Sequence, residues 1–304
     1  MNAKIKGIIC GIVSAITYGM NPLGALNLYR DGINVDSVLL YRYGLAMIIL
    51  AGLMLMRKES FRVGGRELLV CLFLGLSFAV SSISLFTSFH YMDAGIACTI
   101  LFLYPVLVAI IMAAFFKERV TLITALSIIM ALAGIGLLYK GGDGLTLSTI
   151  GVLLVMLSAL SYAIYLVGVN KADLHMPPIK ITFFVTLFGV LTILMHSQFS
   201  DRNQIQLLTT LPQWMWVAML AVVPTVISLV LMVVAVKNIG STPTAIMGAL
   251  EPVTAVVIGV MVFHEHFSLR IALGMLLILI AVSLVIAEKP LVDRLFRKKR
   301  CVAQ

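Results

Sequence analysis

The amino-acid sequence predicts an all-α integral membrane protein with ten transmembrane helices arranged as two inverted five-helix repeats. Three observations carry that prediction: an apolar composition, a one-sided distribution of basic residues, and a self-similarity at a shift of 147 residues. Of 304 residues, 61% are hydrophobic and 12% are charged. Soluble domains run nearer about 45–50% apolar and about 25% charged. A soluble fold of this length cannot hide so much apolar surface, whereas a lipid-facing bundle leaves it among the acyl chains.

A membrane-spanning helix needs about 20 consecutive apolar residues. Apolar runs bounded by charges or turn residues place ten such spans at about 7–28, 37–56, 68–89, 94–116, 121–139, 148–169, 179–197, 214–236, 243–263 and 268–287. The links are short, and none could house a soluble catalytic domain. Lys4 and Lys6 precede an apolar run longer than a signal-peptide core, so the first span is expected to remain as a helix. Cys10, Cys71, Cys98 and Cys301 show no CxxC spacing, which argues against a disulfide framework or a zinc site.

The net charge is +9. In a soluble protein that balance would raise a nucleic-acid hypothesis, but here the bases sit in short loops and in a C-terminal tail, 288–304. They read as orientation signals and contacts to anionic lipid headgroups, so the bilayer is the expected partner and nucleic acid is not. With a cytoplasmic N-terminus, 17 of the 22 Lys and Arg fall on the inside. Four (Arg30, Lys140, Arg202 and Arg270) fall outside, and Arg42 lies within a span. This bias predicts a multi-pass protein of the cell (inner) membrane with both termini cytoplasmic.

The 147-residue shift places Tyr104-Pro105-Val106 on Glu251-Pro252-Val253 and Phe116-Lys117-Glu118 on Phe263-His264-Glu265. Residues 89–139 and 236–286 share 11 identities in 51 positions without a gap. Near the N-terminus a shift of 144 places Gly7, Ser14, Ala15 and Tyr18 on Gly151, Ser158, Ala159 and Tyr162. The copies are therefore read as 7–140 and 148–287. Five helices is an odd number, so the second copy must enter the membrane the opposite way round. Inverted-topology repeats are a recurrent plan of secondary transporters, with the site near the midplane between the copies.

Candidate cavity residues follow from helical phase. Gly7, Gly11, Ser14, Tyr18, Asn21 and Ala25 share one face of the first span. Ser77, Ser81, Ser84 and Ser88 share a face of the third, and Gly151, Ser158, Tyr162 and Tyr165 one of the sixth. Thr244, Gly248, Glu251, Ala255 and Gly259 share a face of the ninth, and Tyr104 stands where Glu251 stands in the other copy. Small residues on such faces also permit close helix packing, the ordinary reading for Gly and Ala. Tyr and Asn hydrogen-bonding groups are poorly served in lipid, so a polar cavity is the better reading for Tyr18, Asn21, Tyr162 and Tyr165.

Glu251 lies about eight residues into its span, roughly 12 Å deep at about 1.5 Å per residue. An ionised carboxylate at that depth is costly and marks an ion or substrate path, with proton coupling one use. The competing reading is a structural bond to Arg42 or to a tyrosine hydroxyl. Arg42 either snorkels outward or faces the cavity. Pro22, Pro105, Pro224 and Pro252 deprive the carbonyls of Tyr18, Leu101, Leu220 and Gly248 of their intrahelical donors, and are candidate hinges or packing kinks. Glu118 and Glu265 read as turn residues before N-caps at Thr121 and Ser268.

Two halves that each end in a Pro-centred helix, a Glu-containing turn and a final apolar helix resemble EamA-like members of the drug/metabolite transporter superfamily. The resemblance covers about residues 7–287, carried by Tyr104-Pro105-Val106 to Glu118 and by Leu250-Glu251-Pro252-Val253 to Glu265. It implies a ten-helix inverted-repeat carrier, often an exporter of amino acids or other metabolites. An Arg in the second helix, where Arg42 stands, is common in the family. His264 and His266 around the turn Glu, and the lack of an Arg counterpart in the seventh span, depart from strict symmetry.

The functional expectation is an alternating-access carrier exporting small polar or amphipathic metabolites, amino-acid-like or similar, with protons as a possible coupling partner. A passive channel, an intramembrane enzyme and a non-transport scaffold or receptor are the alternatives. The enzyme reading needs clustered acid–base or metal ligands, and His90, His175, His196, His264 and His266 form no HExxH-like pair. No GxxxxGK[ST] loop supplies ATP drive, and no metal or cofactor is expected. The sequence carries no signal for oligomeric state. A periplasm-active reporter fused after Gly141 is expected to be active, and the same fusion after Glu59 or Arg300 silent. Activity at both Gly141 and Arg300 would contradict the ten-span count.

Overall fold

The computed structural model describes residues 3–116, 122–139, 148–172, 176–199, 204–239, 247–248, 250–265 and 268–284. Glu118, Thr121, Thr244 and the basic tail 288–304 lie outside the described residues. Every regular element among the described residues is helical. In chain order these are α1 Ala3–Gly19, α2 Asn21–Arg30, α3 Val35–Met56, α4 Gly65–Ser88, α5 Ala94–Leu101, α6 Tyr104–Phe116 and α7 Leu122–Tyr139. They continue as α8 Thr149–Lys171, α9 Pro178–His196, α10 Leu211–Ala221, a π-helical turn Val222–Ile227, α11 Ser228–Ile239 and α12 Leu250–Phe263. The last is α13, Leu269–Leu284. Among the described residues seven helical stretches are long and apolar enough to cross a membrane, and three shorter apolar helices accompany them.

Three spans expected as continuous helices are interrupted. The first divides at Met20 into α1 and α2, the fourth divides at 102–103 into α5 and α6, and the eighth passes through the π-helical turn at Pro224. The cause is proline, which removes a backbone donor and crowds the preceding turn.

Helix ends are fixed by polar side chains at the places where the apolar runs stop. Asn34 Oδ1 accepts from Ser37 N at 2.9 Å to start α3, and Ser148 Oγ accepts from Gly151 N at 3.4 Å to start α8. Ser268 Oγ accepts from Ile271 N at 3.3 Å at the start of α13, the N-cap expected from the sequence. At one end of the bundle the 204–208 segment is strapped down. Asn34 N donates to Gln206 Oε1 at 2.6 Å, and Gln206 N donates to Ser37 Oγ at 2.8 Å. His196 meets Asp36 at 2.9 Å at that same end. At the opposite end Lys180 Nζ donates to the Arg62 carbonyl at 2.6 Å, and Phe61 meets Phe183 edge-on.

Packing is crosswise. The helix α1 lies against α11, α4 against α8 and α9, α3 against α9 and α10, and α5 against α12. Two serine pairs lock two of these contacts. Ser14 Oγ donates to the Ser228 carbonyl at 2.8 Å while Ser228 Oγ donates back to the Ser14 carbonyl at 3.0 Å, joining α1 to α11. Ser158 Oγ donates to the Ser81 carbonyl at 2.7 Å, with the two hydroxyls 3.0 Å apart, joining α8 to α4. The opposite faces are apolar and open: Leu69, Leu72, Phe73 and Leu76 on α4, and Leu153, Leu157 and Leu160 on α8, are all exposed. They sit at helical spacing on the stripe that a bilayer would cover.

Close approach depends on glycine. A Cβ at Gly134 would lie 2.9 Å from the Gly274 carbonyl, so α7 and α13 touch backbone to backbone. A Cβ at Gly75 would lie 2.5 Å from Phe188 Cβ and 3.0 Å from the Val185 carbonyl, whereas one at Gly52 would meet nothing within 4 Å. Gly75→Ala is therefore expected to destabilise by about 1–3 kcal/mol, the usual range for overpacking. Gly52→Ala should be neutral or slightly stabilising, by up to about 1 kcal/mol of helix propensity. Thermal unfolding of the two variants in the same detergent tests this, and equal melting temperatures would contradict the crossing.

Candidate functional site

The interruptions in the helices converge. The C-terminal end of α1, the start of α2, the break between α5 and α6 and the start of α12 surround one internal cavity. Tyr18, Gly19, Asn21, Cys98, Tyr104 and Glu251 line it, although little of their polar surface meets the space. Leu85, Leu101 and Phe102 close the apolar side. The gaps between these lining atoms sum to about 330 Å³ of empty space. That figure includes open solvent, and the room for a water-sized group is only about 20 Å³, so in this conformation the cavity holds about one water molecule. The floor is tight: a Cβ at Gly19 would lie 2.6 Å from the Glu251 carbonyl.

Three of the four proline turns solve their own backbone problem. Pro22 cannot donate to the Tyr18 carbonyl, and Asn21 Nδ2 does so instead at 2.9 Å. Pro224 leaves the Leu220 carbonyl to Thr225 Oγ1, which donates at 2.9 Å. Pro252 leaves the Gly248 carbonyl to Glu251 N, also at 2.9 Å. Leu101, whose carbonyl loses its donor to Pro105, lines the cavity itself. The substitution by neighbouring groups is what lets these helices break inside an apolar bundle.

Asn21 is buried, and with its amide nitrogen committed, its Oδ1 has no partner among the described residues. Glu251 sits half-buried on the same cavity, within electrostatic reach of Tyr18, Cys98, Tyr104 and Tyr162. Tyr104 and Tyr162 meet edge-on at 4.7 Å between ring centres. Behind them Tyr162 stacks on Tyr165 at 5.8 Å, and Tyr165 lies against Phe78. An aromatic wall therefore runs from the cavity into the α4–α8 contact.

Arg42 is only 2% exposed and does not reach solvent at the bundle end. Its Nε donates to Thr225 Oγ1 at 2.9 Å, and its guanidinium lies 5.4 Å from the Tyr43 ring centre and 5.3 Å from that of Phe86. These distances lie within cation–π range. The Thr225 hydroxyl thus accepts from Arg42 while donating to the carbonyl that Pro224 freed. A π-helical turn exposes backbone groups in this way, and such turns recur at functional sites. The Tyr18 hydroxyl lies within electrostatic reach of both Arg42 and Glu251.

The remaining candidates fall in packing contacts rather than on the cavity. Ser14 and Ser81 are engaged in the two serine pairs. Ser77 and Ser88 donate to their own helix at Phe73 and Leu85, and Ser84 is buried. Gly248 is buried next to the start of α12. The sequence did not single out Thr225, Ser228 or Cys98. Thr225 had a signal in its place beside Pro224, and Ser228 stands one 147-residue shift from Ser81.

Glu265 does more than occupy a turn. Its carboxylate accepts from Ala94 N at 2.8 Å and Gly95 N at 3.2 Å, capping α5 from the far side of α12. Gly259 leaves the space that the carboxylate fills. Burial pushes the Glu265 carboxyl above the usual carboxylate range, and the two backbone donors oppose that shift.

Comparison with known proteins agrees with this architecture. An uncharacterized transporter of Archaeoglobus fulgidus is 28% identical over 190 residues, covering 62% of this chain and 66% of that protein. The uncharacterized transporter YxxF of Bacillus subtilis is 26% identical over 230 residues, covering 74% of this chain and 71% of its own length. The alignments thus span about two thirds of each relative's length. A solved crystal structure superposes with a TM-score of 0.65 at 17% identity, over 96% of this chain and 98% of that one, a likeness of fold. The EamA-like transporter family matches residues 5–140 and 149–287, nearly the whole sequence. The chain belongs to the EamA-like transporter family.

Proposed function

We propose that this membrane transporter is an alternating-access secondary carrier that exports small polar or amphipathic metabolites, with Glu251 as the proton-coupling group of a central site. The observation that carries the reading is the meeting of two broken helices and the Glu251 carboxyl at one internal cavity. Discontinuous helices around a midplane site are the plan by which secondary transporters bind substrate. Tyr18, Asn21, Tyr104 and Glu251 are the proposed substrate-facing groups. Arg42 and Thr225 form a second polar cluster within electrostatic reach of Tyr18.

The proposed architecture is two inverted five-helix repeats, 7–140 and 148–287, in the inner membrane with both termini and the basic tail cytoplasmic. The helix contacts support it. Exchanging each span for its counterpart turns the α1–α11 contact into the α8–α4 contact, and Ser14–Ser228 into Ser158–Ser81. The α3–α9 and α5–α12 contacts map onto themselves. Rocking one repeat against the other would then open the cavity first to one side and then to the other, with Pro22, Pro105, Pro224 and Pro252 at the bending points.

Glu251→Gln separates the roles open to the carboxyl. In reconstituted vesicles the variant is expected to fold and insert normally but to lose pH-gradient-driven transport by at least tenfold. Exchange of substrate down its own gradient should survive, because the amide resembles the protonated acid. Transport is compared at two pH values beside a melting curve. Wild-type transport with an unchanged pH response would overturn the assignment, and a lowered melting temperature without a selective transport defect would make Glu251 structural.

A further inference from the structure

One carboxylate ties together two helices that both line the central cavity. The helices α5 and α12 pack against each other, with Cys98 and Leu101 of the first and Glu251 of the second on the cavity. The start of α5 and the end of α12 meet at the end of the bundle that the proposed topology places outside the membrane. Near that end the two come into backbone contact, since a Cβ at Gly95 would lie 2.9 Å from Val256 Cα. A route to the cavity along the seam between α5 and α12 passes this contact.

A chain reversal closes the seam. His264 adopts the left-handed conformation at φ 58°, uncommon for a residue with a side chain, and Glu265 N donates to the Gly259 carbonyl at 3.0 Å. The Glu265 side chain folds back over Gly259, where a Cβ would lie 2.6 Å from the carboxyl carbon, and accepts from Ala94 N and Gly95 N. Arg30, the last residue of α2, lies 4.7 Å above the Phe263 ring beside the same turn. A helix start ordinarily takes its cap from its own chain. Asp93 stands at that position and is of a preferred type, yet it makes no side-chain cap hydrogen bond to α5. The two donors serve instead a carboxylate about 170 residues away. Burial pushes the Glu265 carboxyl up, and the nearby Asp93 charge adds to that shift. Two like charges therefore stand beside one pair of donors.

We propose that Glu265 is a releasable latch on the outer gate of the carrier. Bound to Ala94 and Gly95 it holds α12 against α5 and closes the route to the cavity, and on opening it yields those donors to Asp93. The first N–H groups of a helix need an acceptor in either state. Exchange of one carboxylate for the other keeps α5 capped throughout, so the helices part without leaving those groups bare. No covalent bond and no proton has to change. The proposal rests on the carrier reading only in treating the parting of α5 and α12 as a step of transport.

Cys98 reports the state of the latch, because it lies on the cavity one turn into α5 from the two donors. The full-length chain, in right-side-out and in inverted membrane vesicles without substrate, is treated with a charged, membrane-impermeant thiosulfonate. Labelling of Cys98 is followed by peptide mass mapping, and Asp31→Cys, exposed at the Glu265 end, marks the side in every chain. Gly259→Ala displaces the carboxylate without removing it, and Glu265→Gln replaces one of its two acceptors by a donor. Each is expected to speed labelling of Cys98 from the marked side at least fivefold and to leave labelling from the other side unchanged. Asp93→Ala keeps the Glu265 bonds and removes the alternative cap, so it should slow labelling at least twofold. It remains decisive if a melting curve shows that the other two variants do not fold. Equal acceleration from both sides would make Glu265 a structural cap and overturn the latch. Unchanged rates in the Gly259 and Glu265 variants, or unchanged or faster labelling in Asp93→Ala, would overturn it as well. The latch and the carrier reading fail separately. Latch behaviour in a chain that moves no substrate would sink the carrier reading alone, and transport with Cys98 labelling indifferent to Glu265 would sink the latch alone.

Discussion

A peptide carbonyl buried among apolar side chains must find a donor, and four prolines within the helices of this protein each take one away. At three of these turns the structure supplies the donor from a residue next to the proline: the Asn21 amide, the Thr225 hydroxyl and the Glu251 backbone nitrogen. The local repair has a long-range consequence. The residues that mend the backbone are polar or charged, and a bundle in lipid tolerates such side chains only where they face one another or a cavity. The breaks in α1–α2, in α5–α6 and at the head of α12 therefore share one chamber.

The polar faces of the helices divide between two tasks by side-chain reach. Serine is short enough to lie within a helix contact and bond across it, as Ser14 does with Ser228 and Ser158 with Ser81. Tyr18, Asn21, Tyr104 and Glu251 stand instead beside the breaks, on the lining of the cavity. Glycine adjusts the spacing between these zones. At Gly19 it brings α1 onto the backbone of α12 directly beneath the cavity, and at Gly75 it seats α4 against α9.

Arg42 and Glu251 are kept apart rather than paired. Arg42 is held by Thr225 and two aromatic faces, Glu251 lies on the cavity, and the Tyr18 hydroxyl is within electrostatic reach of both. A direct Arg–Glu bond would satisfy both groups and leave neither for a substrate or a proton. Ionisable groups kept apart within a membrane bundle are expensive for stability and are retained where they serve transport. The Glu265 carboxylate follows the opposite rule. It is spent on two backbone donors at the head of α5, which fixes α12 to α5 at one end of the bundle.

The sequence by itself determined the all-helical membrane architecture and the stops of several helices, and it marked the prolines as kinks or hinges without showing that three spans break there. Those properties depend on residues a few positions apart: apolar run length, Asn34, Ser148 and Ser268 at helix starts, and proline within a span. It also placed a carboxylate within the ninth apolar run, and the described helix α12 carries Glu251 in its first turn. Only the tertiary structure decided which members of a polar face meet a neighbour and which meet empty space. Ser14 and Tyr18 share a face one turn apart, yet one bonds to Ser228 and the other lines the cavity. Thr225 gained its role from Arg42, 183 residues away in sequence, and the free oxygen of Asn21 follows from what its nitrogen does. Helical periodicity fixes the direction in which a side chain points, but a hydrogen bond or a cavity is a property of whatever stands opposite, and that is set by the packing of distant helices.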